Sequence, residues 1–277
     1  MPLCCLVFTK SLNTRELLIL CSISKMPGPD LLSSQGLRLD GRRPNELRRI
    51  QCKLGVFTQP DGSAYLEQGN TKVLAAVYGP HQAAKSKCLQ DSVVVNCQYS
   101  MATFSTGERK NRPRGDRKSQ EMSMHLRQAL MAAIKTELYP RSQIDIYVEV
   151  LQADGGAYCT SVNAATLALI DAGIPIKAYV IACTASLAWK EGEPEPLVDV
   201  SHVEEAAGGV VLTVASMPST GAIGLIEMSH RLHMDYFDTV LSRAMQGCRD
   251  IEVILDKAVR EHLAEGWTKS TDDVITI

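Results

Sequence analysis

Three groups of residues in this sequence have types and spacings that could do chemistry. The segment Asp199-Val200-Ser201-His202-Val203-Glu204-Glu205 holds three carboxylates, which could bind a divalent cation or supply a general acid. The turn Asp154-Gly155-Gly156 precedes a stretch of helical period, and the free N–H groups at the start of such a helix can bind an anion. The stretch from Arg109 to Lys118 carries six cations and one anion, a local charge of +5 that could bind nucleic-acid phosphates.

The acidic segment also has a structural interpretation as a solvated strand end, which the local pattern favours. On a strand, Asp199, Ser201 and Val203 would share one face and His202 would take the other. Neighbouring residues on a strand cannot converge, so the pattern argues against a Ser-His-Asp triad. Cys159 has no activating cation or base nearby in the sequence, which argues against a cysteine nucleophile.

The glycine turn offers an anion little beyond its backbone. Ala157 and Tyr158 follow the two glycines, so neither a cation nor an aliphatic hydroxyl stands there. Arg141 would lie about 40 Å away at the other end of an extended strand and cannot reach the turn from within that strand. We therefore expect a tight strand-to-helix connection with Asp154 as the helix cap.

The basic stretch is denser than an ordinary solvated loop, and it lies in a chain with a net charge of −2. Pro113 and Gly115 oppose a helix there. A solvated loop and a nucleic-acid contact are both open, and each phosphate neutralised should add about 0.7 to the salt slope for a single strand. The candidate RNA-binding residues are Arg109, Lys110, Arg112, Arg114, Arg117 and Lys118.

Composition restricts the class of protein. The 277 residues are 45% hydrophobic, which is enough for a substantial core, and the nine cysteines contain no C-x-x-C pair. This spacing argues against a zinc site or a disulfide framework and favours a reducing compartment. No apolar run reaches the ~18 residues of a membrane helix. We expect residues 1–25 to be a disordered extension or an alternative start, 26–268 to fold, and 269–277 to be a loose tail.

The elements that must position these groups follow from periodicity. Residues 144–150 alternate as a half-buried strand, and from about Tyr158 the apolar residues follow helical spacing on more than one side, until Gly173 and Pro175 end the helix. The order predicts an α+β fold with a weak two-fold echo, whose first part is a run of antiparallel strands. We expect further strands at 50–57, 63–68, 71–78, 93–95, 178–189, 210–215 and 223–228, helices at 119–138 (capped by Ser119) and 235–263, and a hairpin loop at 191–196.

Several segments together resemble the RNase PH family. They occur in the family's order and span about residues 32–263, so together they are far more specific than any one of them. Within the family, the resemblance is strongest to ring subunits of the eukaryotic RNA exosome. The matching segments are Arg38-Leu39-Asp40-Gly41-Arg42 (R-x-D-G-R), Tyr99 through Arg109, Val150-Leu151-Gln152-Ala153-Asp154-Gly155-Gly156 (V-L-Q-A-D-G-G), Asp171-Ala172-Gly173-Ile174-Pro175, and Asp199 to Glu205 (D-L-x-x-V-E-D).

The resemblance implies an RNase PH-like fold of two pseudo-related halves, with mixed or antiparallel strands and packed helices. Active members shorten RNA from the 3′ end with inorganic phosphate, which a Ser/Thr-Arg pair holds. Those two positions fall on Ala157 and Tyr158, and a further family aspartate falls on Val211. A lost charge-assisted contact costs about 1.5–3 kcal/mol, and a lost general acid costs ~10²–10⁴ in rate. We therefore expect no catalytic residues, no metal and no cofactor, and a vestigial phosphate site formed by Asp154, Gly155, Gly156, Ala157 and Tyr158.

The implied function is that of a non-catalytic ring subunit, in which Arg109 matches an arginine that contacts phosphate or RNA in active relatives. Expected partners are other RNase PH-like subunits in a hexameric ring, RNA-binding cap subunits, attached nucleases and single-stranded RNA, in nucleus, nucleolus and cytoplasm, with no membrane. Two alternatives stay open. One is a purely structural subunit without RNA contact. The other is an active phosphate-dependent 3′→5′ exoribonuclease that uses inorganic phosphate, with or without Mg²⁺, an arginine from a neighbouring subunit, and the carboxylates Asp199, Glu204 and Glu205.

Overall fold

The structure, a computed structural model, describes residues 31–83, 90–109, 115–190 and 193–275, with side chains described as far as residue 264. Within these ranges the chain forms two sheets and four α-helices. The strands are β1 Ile50–Leu54, β2 Gly62–Gln68, β3 Thr71–Gln82, β4 Val94–Met101, β5 Ser142–Gln152, β6 Ile181–Lys190, β7 Glu193–Val198, β8 Val211–Met217 and β9 Ala222–Met228. The helices are α1 Arg117–Ala133, α2 Ala157–Asp171, α3 His202–Ala206 and α4 Met234–Ile275, with one 3-10 turn at Thr136–Leu138.

The first sheet has the strand order β1-β2-β3-β5-β4. β1, β2 and β3 pair as antiparallel neighbours, as the sequence predicts, and Gly69 and Asn70 form the tight connection between β2 and β3. β4 departs from the prediction, because it pairs with β5 in parallel. The cause is α1, which lies between the two strands in the chain and supplies the crossover that a parallel pair requires. The sheet is therefore mixed.

The second sheet is antiparallel throughout, in the order β7-β6-β8-β9. The sequence predicts a hairpin loop at 191–196, and this prediction is wrong from Glu193 onward, where β7 begins. Pro194 and Pro196 make the segment read as a loop. Proline has no backbone N–H to donate to a neighbouring strand. The two prolines are tolerated because β7 is an edge strand, where one side of the strand has no partner to hydrogen-bond. Residues 191 and 192 lie outside the described residues.

α1 begins earlier and ends earlier than its sequence pattern predicts. Asp116, rather than Ser119, is the N-cap, and its Oδ1 accepts from the backbone N–H of Arg117 at 2.8 Å. The helix ends at Ala133 because Ile134 turns extended and forms a bridge with Ile176. One face of the helix packs into the core, since Leu126, Ala129, Leu130 and Ala133 are buried.

α2 lies between the two sheets and packs against both. Twelve consecutive residues, from Tyr158 to Leu169, are buried, which confirms the predicted burial on more than one side. The helix packs against β2, β3 and β5 of the first sheet and against β6 and β8 of the second. Its side of the second sheet is also tied by hydrogen bonds, since Asn163 exchanges two with the backbone of Ala182 and Thr166 Oγ1 donates to the carbonyl of Val180 at 2.8 Å.

α4 covers the second sheet with a stripe of apolar residues. Val240, Ala244, Cys248, Ile251 and Leu255 are all buried. The helix continues to Ile275, through the residues from 269 onward that the sequence assigns to a loose tail. No proline interrupts that segment, so nothing in it forces the helix to end.

Among the described residues, no helix has both the length and the apolar character needed to span a membrane.

Candidate functional site

The glycine turn forms the expected strand-to-helix connection, but it is capped differently. Gly155 and Gly156 have φ values of +77° and +60°, a region that favours glycine. Gly156 is the N-cap of α2 and no side chain caps the helix, so the prediction that Asp154 caps it is wrong. Asp154 lies two positions too early for that role, and its carboxylate instead accepts from Asn70 Nδ2 at 2.9 Å.

The turn is in backbone contact with the acidic segment. A Cβ placed on Gly155 would lie 2.6 Å from both the carbonyl carbon of Ser201 and the carbonyl oxygen of Val200. Only a glycine allows this approach. The structure therefore brings together two of the three groups that the sequence indicates, although Gly155 and Ser201 are 46 residues apart in the chain.

The acidic segment is not a solvated strand end. Asp199 is 1% exposed and has a φ of 54°, and α3 begins at His202. Glu204 is also 1% exposed, and its Oε2 accepts from the Ser201 N–H at 2.8 Å. Glu205 points to solvent. The solvated strand end is therefore wrong, and the three carboxylates diverge because a helical turn, rather than a strand, separates them.

Asp199 is held by Arg48, the residue that sequence analysis misses. Arg48 Nη2 lies 2.7 Å and Nε 3.0 Å from Asp199 Oδ1, while the backbone N–H of Arg48 donates to Oδ2 at 2.8 Å. Arg48 also donates to the glycine turn, from Nη1 to the carbonyl of Asp154 at 2.6 Å and from Nη2 to that of Gly155 at 3.2 Å. Its donors thus join the turn to the acidic segment.

The electrostatics of this pair fix both charges. Burial alone would raise the pKa of Asp199, but the charge and hydrogen bonds of Arg48 outweigh burial and hold the pKa below its ordinary value. Burial likewise acts to lower the pKa of Arg48, and the carboxylate of Asp199 more than compensates, so that this pKa is raised. Both side chains are therefore ionised over the whole neutral range.

Glu204 is held in the same way by Arg38, and both side chains are fully buried. Arg38 Nε donates to Glu204 Oε1 at 2.7 Å, and Nη2 donates to Oε2 and to the carbonyl of Asp199. Burial would raise the pKa of Glu204, but the hydrogen bonds from Arg38 and Ser201 and the arginine charge lower it. Arg38 belongs to the Arg38–Arg42 segment that resembles the family, and its side chain is buried rather than solvated.

These contacts restrict the chemistry of the acidic segment. A general acid must carry a proton, and neither Asp199 nor Glu204 holds one near neutral pH. In the part of the chain that the structure describes, no three His, Cys, Asp or Glu side chains converge to hold a metal ion. The three carboxylates therefore do not form the divalent-cation cluster that the sequence leaves open.

The two positions after the glycines face the core instead of a ligand. Tyr158 is 8% exposed and belongs to the main hydrophobic cluster, against which Ala157 packs. Burial raises the pKa of the Tyr158 hydroxyl, which has no hydrogen-bond partner among the described residues. Val211, where the family aspartate would fall, is a buried residue of β8. An anion at the turn would meet backbone N–H groups but no side-chain cation from these positions.

The loop that leads to the basic stretch is hydrogen-bonded to the residue just before the glycine turn. Ala153, just before the turn, donates its N–H to the carbonyl of Ser105 at 2.9 Å. Arg109, Arg117 and Lys118 are exposed. Lys110, Arg112 and Arg114 lie outside the described residues, so the structure does not bear on those three candidates.

No local signal in the sequence identifies Arg38 and Arg48 as partners of the carboxylates. The pairs Arg38–Glu204 and Arg48–Asp199 are 166 and 151 residues apart. Arg42, Arg43 and Arg49 lie in the same polar, arginine-rich segment of the sequence. Only the packed fold distinguishes the buried arginines from the exposed ones.

The 3′ exoribonuclease family matches this chain in two parts, domain 1 at residues 46–175 and domain 2 at residues 178–247. The human exosome complex component RRP41 is 58% identical over 242 residues, which cover 87% of this chain and 97% of that protein. The RRP41 homologue of Arabidopsis thaliana is 46% identical over 84% of this chain and 95% of its own length.

Solved structures share the fold. Rice Rrp46 superimposes with a TM-score of 0.70 at 22% identity, covering 80% of this chain and 100% of that one. The Archaeoglobus fulgidus exosome, solved with RNA bound to the active site, gives a TM-score of 0.67 at 21% identity, covering 79% of this chain and 92% of that one. The RNase PH-like fold expected from the sequence is confirmed, and the chain belongs to the RNase PH family of 3′ exoribonucleases.

Proposed function

We propose that this protein is a catalytically silent RNase PH-like ring subunit of the RNA exosome, which helps to guide RNA towards nucleases attached to the ring. The observation that carries the proposal is the pairing of two buried carboxylates with arginines. Asp199 and Glu204 are each paired with a buried arginine, and neither can donate a proton near neutral pH. Tyr158, packed into the core where the family places a phosphate-binding arginine, supports the same conclusion.

The relatives support the proposed assembly. Proteins named exosome complex component RRP41 match this chain over nearly their whole length. We propose that the chain takes the same position, that of the subunit also called exosome component four. Its partners would be other RNase PH-like subunits in a hexameric ring, RNA-binding cap subunits and associated nucleases. The processes served would be rRNA maturation and the turnover of mRNA and non-coding RNA, in nucleus, nucleolus and cytoplasm.

The RNA-guiding part of the proposal depends on the basic stretch. Arg109, Arg117 and Lys118 are exposed, and the loop that leads to Arg109 is hydrogen-bonded to the residue just before the glycine turn. Exposed cations at this place could bind the phosphates of a strand that passes the vestigial site. A threading subunit needs contacts that do not depend on base sequence, and phosphate contacts have that property.

The catalytic question is tested by phosphate-dependent RNA degradation, measured as release of nucleoside diphosphates. The chain alone and the assembled ring without attached nucleases should both release none. Release that disappears in Glu205→Gln or Asp199→Ala would contradict the proposal and show a phosphorolytic enzyme. Glu205 is exposed, so Glu205→Gln tests the chemistry without disturbing the buried ion pairs.

The RNA-guiding role is tested by neutralising Arg109, Arg112 and Arg114 to glutamine in the assembled complex. Affinity for a labelled single-stranded RNA should fall most at low salt, and the salt slope should decrease by about 2, which is 0.7 for each lost phosphate contact. Neutralising Arg243, Arg249 and Arg260 on α4 is a matched control for the loss of three charges. An unchanged affinity and slope would favour the purely structural subunit.

A further inference from the structure

We propose that Phe104, five residues before the exposed cation of Arg109, is a stacking platform for a base of single-stranded RNA. The inference rests on the proposed RNA-guiding function, to which it adds a specific contact of a different physical kind. Charge neutralisation holds the phosphates, whereas an aromatic ring holds a base. The two kinds of contact respond differently to salt and can therefore be separated by experiment.

Phe104 is unusually exposed for a phenylalanine. Its side chain is 73% accessible, the largest value among the exposed large apolar side chains of the described residues. It is also the only large apolar residue between Ala102 and Arg109, where its neighbours are Thr103, Ser105, Thr106, Gly107 and Glu108. The centre of a protein–protein interface usually gathers several apolar side chains. A single ring among hydroxyls and charges fits a base, which offers one flat face and polar edges.

The backbone holds this ring in a defined place. Ser105 donates its N–H to the carbonyl of Ala102 at 3.0 Å, which closes a turn with Phe104 at its third position. Both ends of the turn are fixed to β5 and its continuation, because Ala102 donates to the carbonyl of Val150 and Ala153 donates to the carbonyl of Ser105, each at 2.9 Å. The loop is therefore ordered before any ligand arrives, which lowers the entropy cost of binding.

A cation follows the ring within five residues. Thr106 Oγ1 donates to the carbonyl of Glu108 at 2.7 Å, a second local contact that shapes the chain before Arg109. Arg109 is exposed, as is the acidic Glu108 next to it, and Arg109 is the first cation of the basic stretch that ends at Lys118. Proteins that bind single strands without sequence preference combine aromatic rings for bases with cations for the backbone. Phe104 and Arg109 supply one of each.

The experiment measures binding of labelled single-stranded oligo(A) to the full chain and to the assembled complex, over a range of salt concentrations. Phe104→Ala should weaken binding by about 5- to 150-fold, the range expected for loss of one base–aromatic stack, and leave the salt slope unchanged. Phe104→Trp should retain affinity, because the aromatic face is kept. Phe104→Leu keeps an apolar side chain but no ring, and should behave like Phe104→Ala.

Two comparisons make the result specific. An oligomer of the same length without bases should bind wild type and Phe104→Ala equally, because it has nothing to stack. Met234→Ala removes a side chain of similar exposure (72%) from the start of α4 and should leave RNA binding unchanged.

Four results would overturn the inference. Full affinity in Phe104→Leu would show that no ring is needed. Loss of subunit assembly without loss of RNA affinity in Phe104→Ala would show a protein contact. If Arg109→Gln lowers affinity and salt slope while Phe104→Ala changes neither, the stacking contact is wrong and RNA guiding stands. If the wild-type chain binds no RNA alone and contributes nothing to RNA affinity within the complex, both the stacking contact and the RNA-guiding role are wrong.

Discussion

Arg48 and Asp199 meet inside the molecule, with Nη2 of the arginine 2.7 Å from Oδ1 of the aspartate. Arg48 comes just before the first strand, whereas Asp199 follows the last residue of β7, so the pair joins the beginning of the first sheet to the second. The same guanidinium donates to the carbonyls of Asp154 and Gly155. This one ion pair therefore ties together three segments that are distant in the chain.

The first prediction concerns the stability that this pair provides. Asp199→Asn removes the counter-charge and leaves the Arg48 guanidinium buried without one, which should lower the free energy of unfolding by about 3–5 kcal/mol. Asp40→Asn is the matched control, because its pair with Arg42 lies at the surface and the Asp40 side chain is 44% exposed. That variant should lose less than about 1 kcal/mol. Urea unfolding of both variants measures the difference, and equal losses would contradict the prediction.

The second prediction is an acid limb in the stability curve. The pKa values of Asp199 and Glu204 are lowered in the folded chain from ordinary values of 3.8 and 4.5. The unfolded chain therefore binds protons first as the pH falls. The stability from these pairs is complete above the ordinary values and is lost as the pH falls through the lower, folded-state values.

Urea unfolding between about pH 6 and pH 3 tests this dependence. Glu204→Gln removes one of the two groups, so it should be less stable at the upper end of the range and should lose less stability on acidification than wild type. Parallel curves for the two proteins would show that Glu204 does not contribute.

The third prediction concerns Tyr158, whose buried hydroxyl has no partner among the described residues. Tyr158→Phe removes an unsatisfied group and keeps the ring, so the free energy of unfolding should stay within about 1 kcal/mol of wild type or rise. Tyr158→Arg restores the family's cation but places it in the hydrophobic core, and should cost at least about 3 kcal/mol. Thermal unfolding of the two variants and of wild type measures these differences in stability. A stable Tyr158→Arg variant would show that the site still accommodates a phosphate-binding side chain.

The fourth prediction isolates the close approach at the glycine turn. Gly155 and Gly208 have nearly the same φ, +77° and +79°, so alanine is strained equally at both. A Cβ at Gly208 meets nothing within 4 Å, whereas at Gly155 it would lie 2.6 Å from the backbone of Val200 and Ser201. Gly208→Ala should cost about 1–2 kcal/mol from the backbone alone. Gly155→Ala should cost clearly more, and equal costs would mean that the backbones can separate freely.

Periodicity predicts the parts of the fold that depend on local sequence. The change from alternating to helical spacing at Asp154 locates β5 and α2, and the apolar stripe locates most of α4. The pattern fails where tertiary context decides. β7 forms a strand despite two prolines because it lies at a sheet edge, and β4 joins β5 in parallel because a helix intervenes. Neither fact is a property of the strand's own residues.

The candidate site is predictable in its membership but not in its contacts. The sequence identifies Asp199 and Glu204 as candidate functional carboxylates, but an acidic segment exposed at the surface would have the same sequence pattern. What decides their role is burial next to Arg48 and Arg38, which are more than 150 residues distant. A sequence carries no local record of such a pairing, because any of the nearby arginines would satisfy the composition equally well.

The shared helix α2 constrains how this protein can change. Because α2 packs against both sheets, a substitution on almost any side of it affects how both sheets pack. Its buried residues include seven of the small types alanine, serine, threonine and cysteine between Cys159 and Ala168 and only three leucines or valines up to Leu169, so there is little spare volume on either side. The two family domains are accordingly not interchangeable modules. If domain 1 were replaced by that of a relative, its α2 helix would be packed to fit a different second sheet.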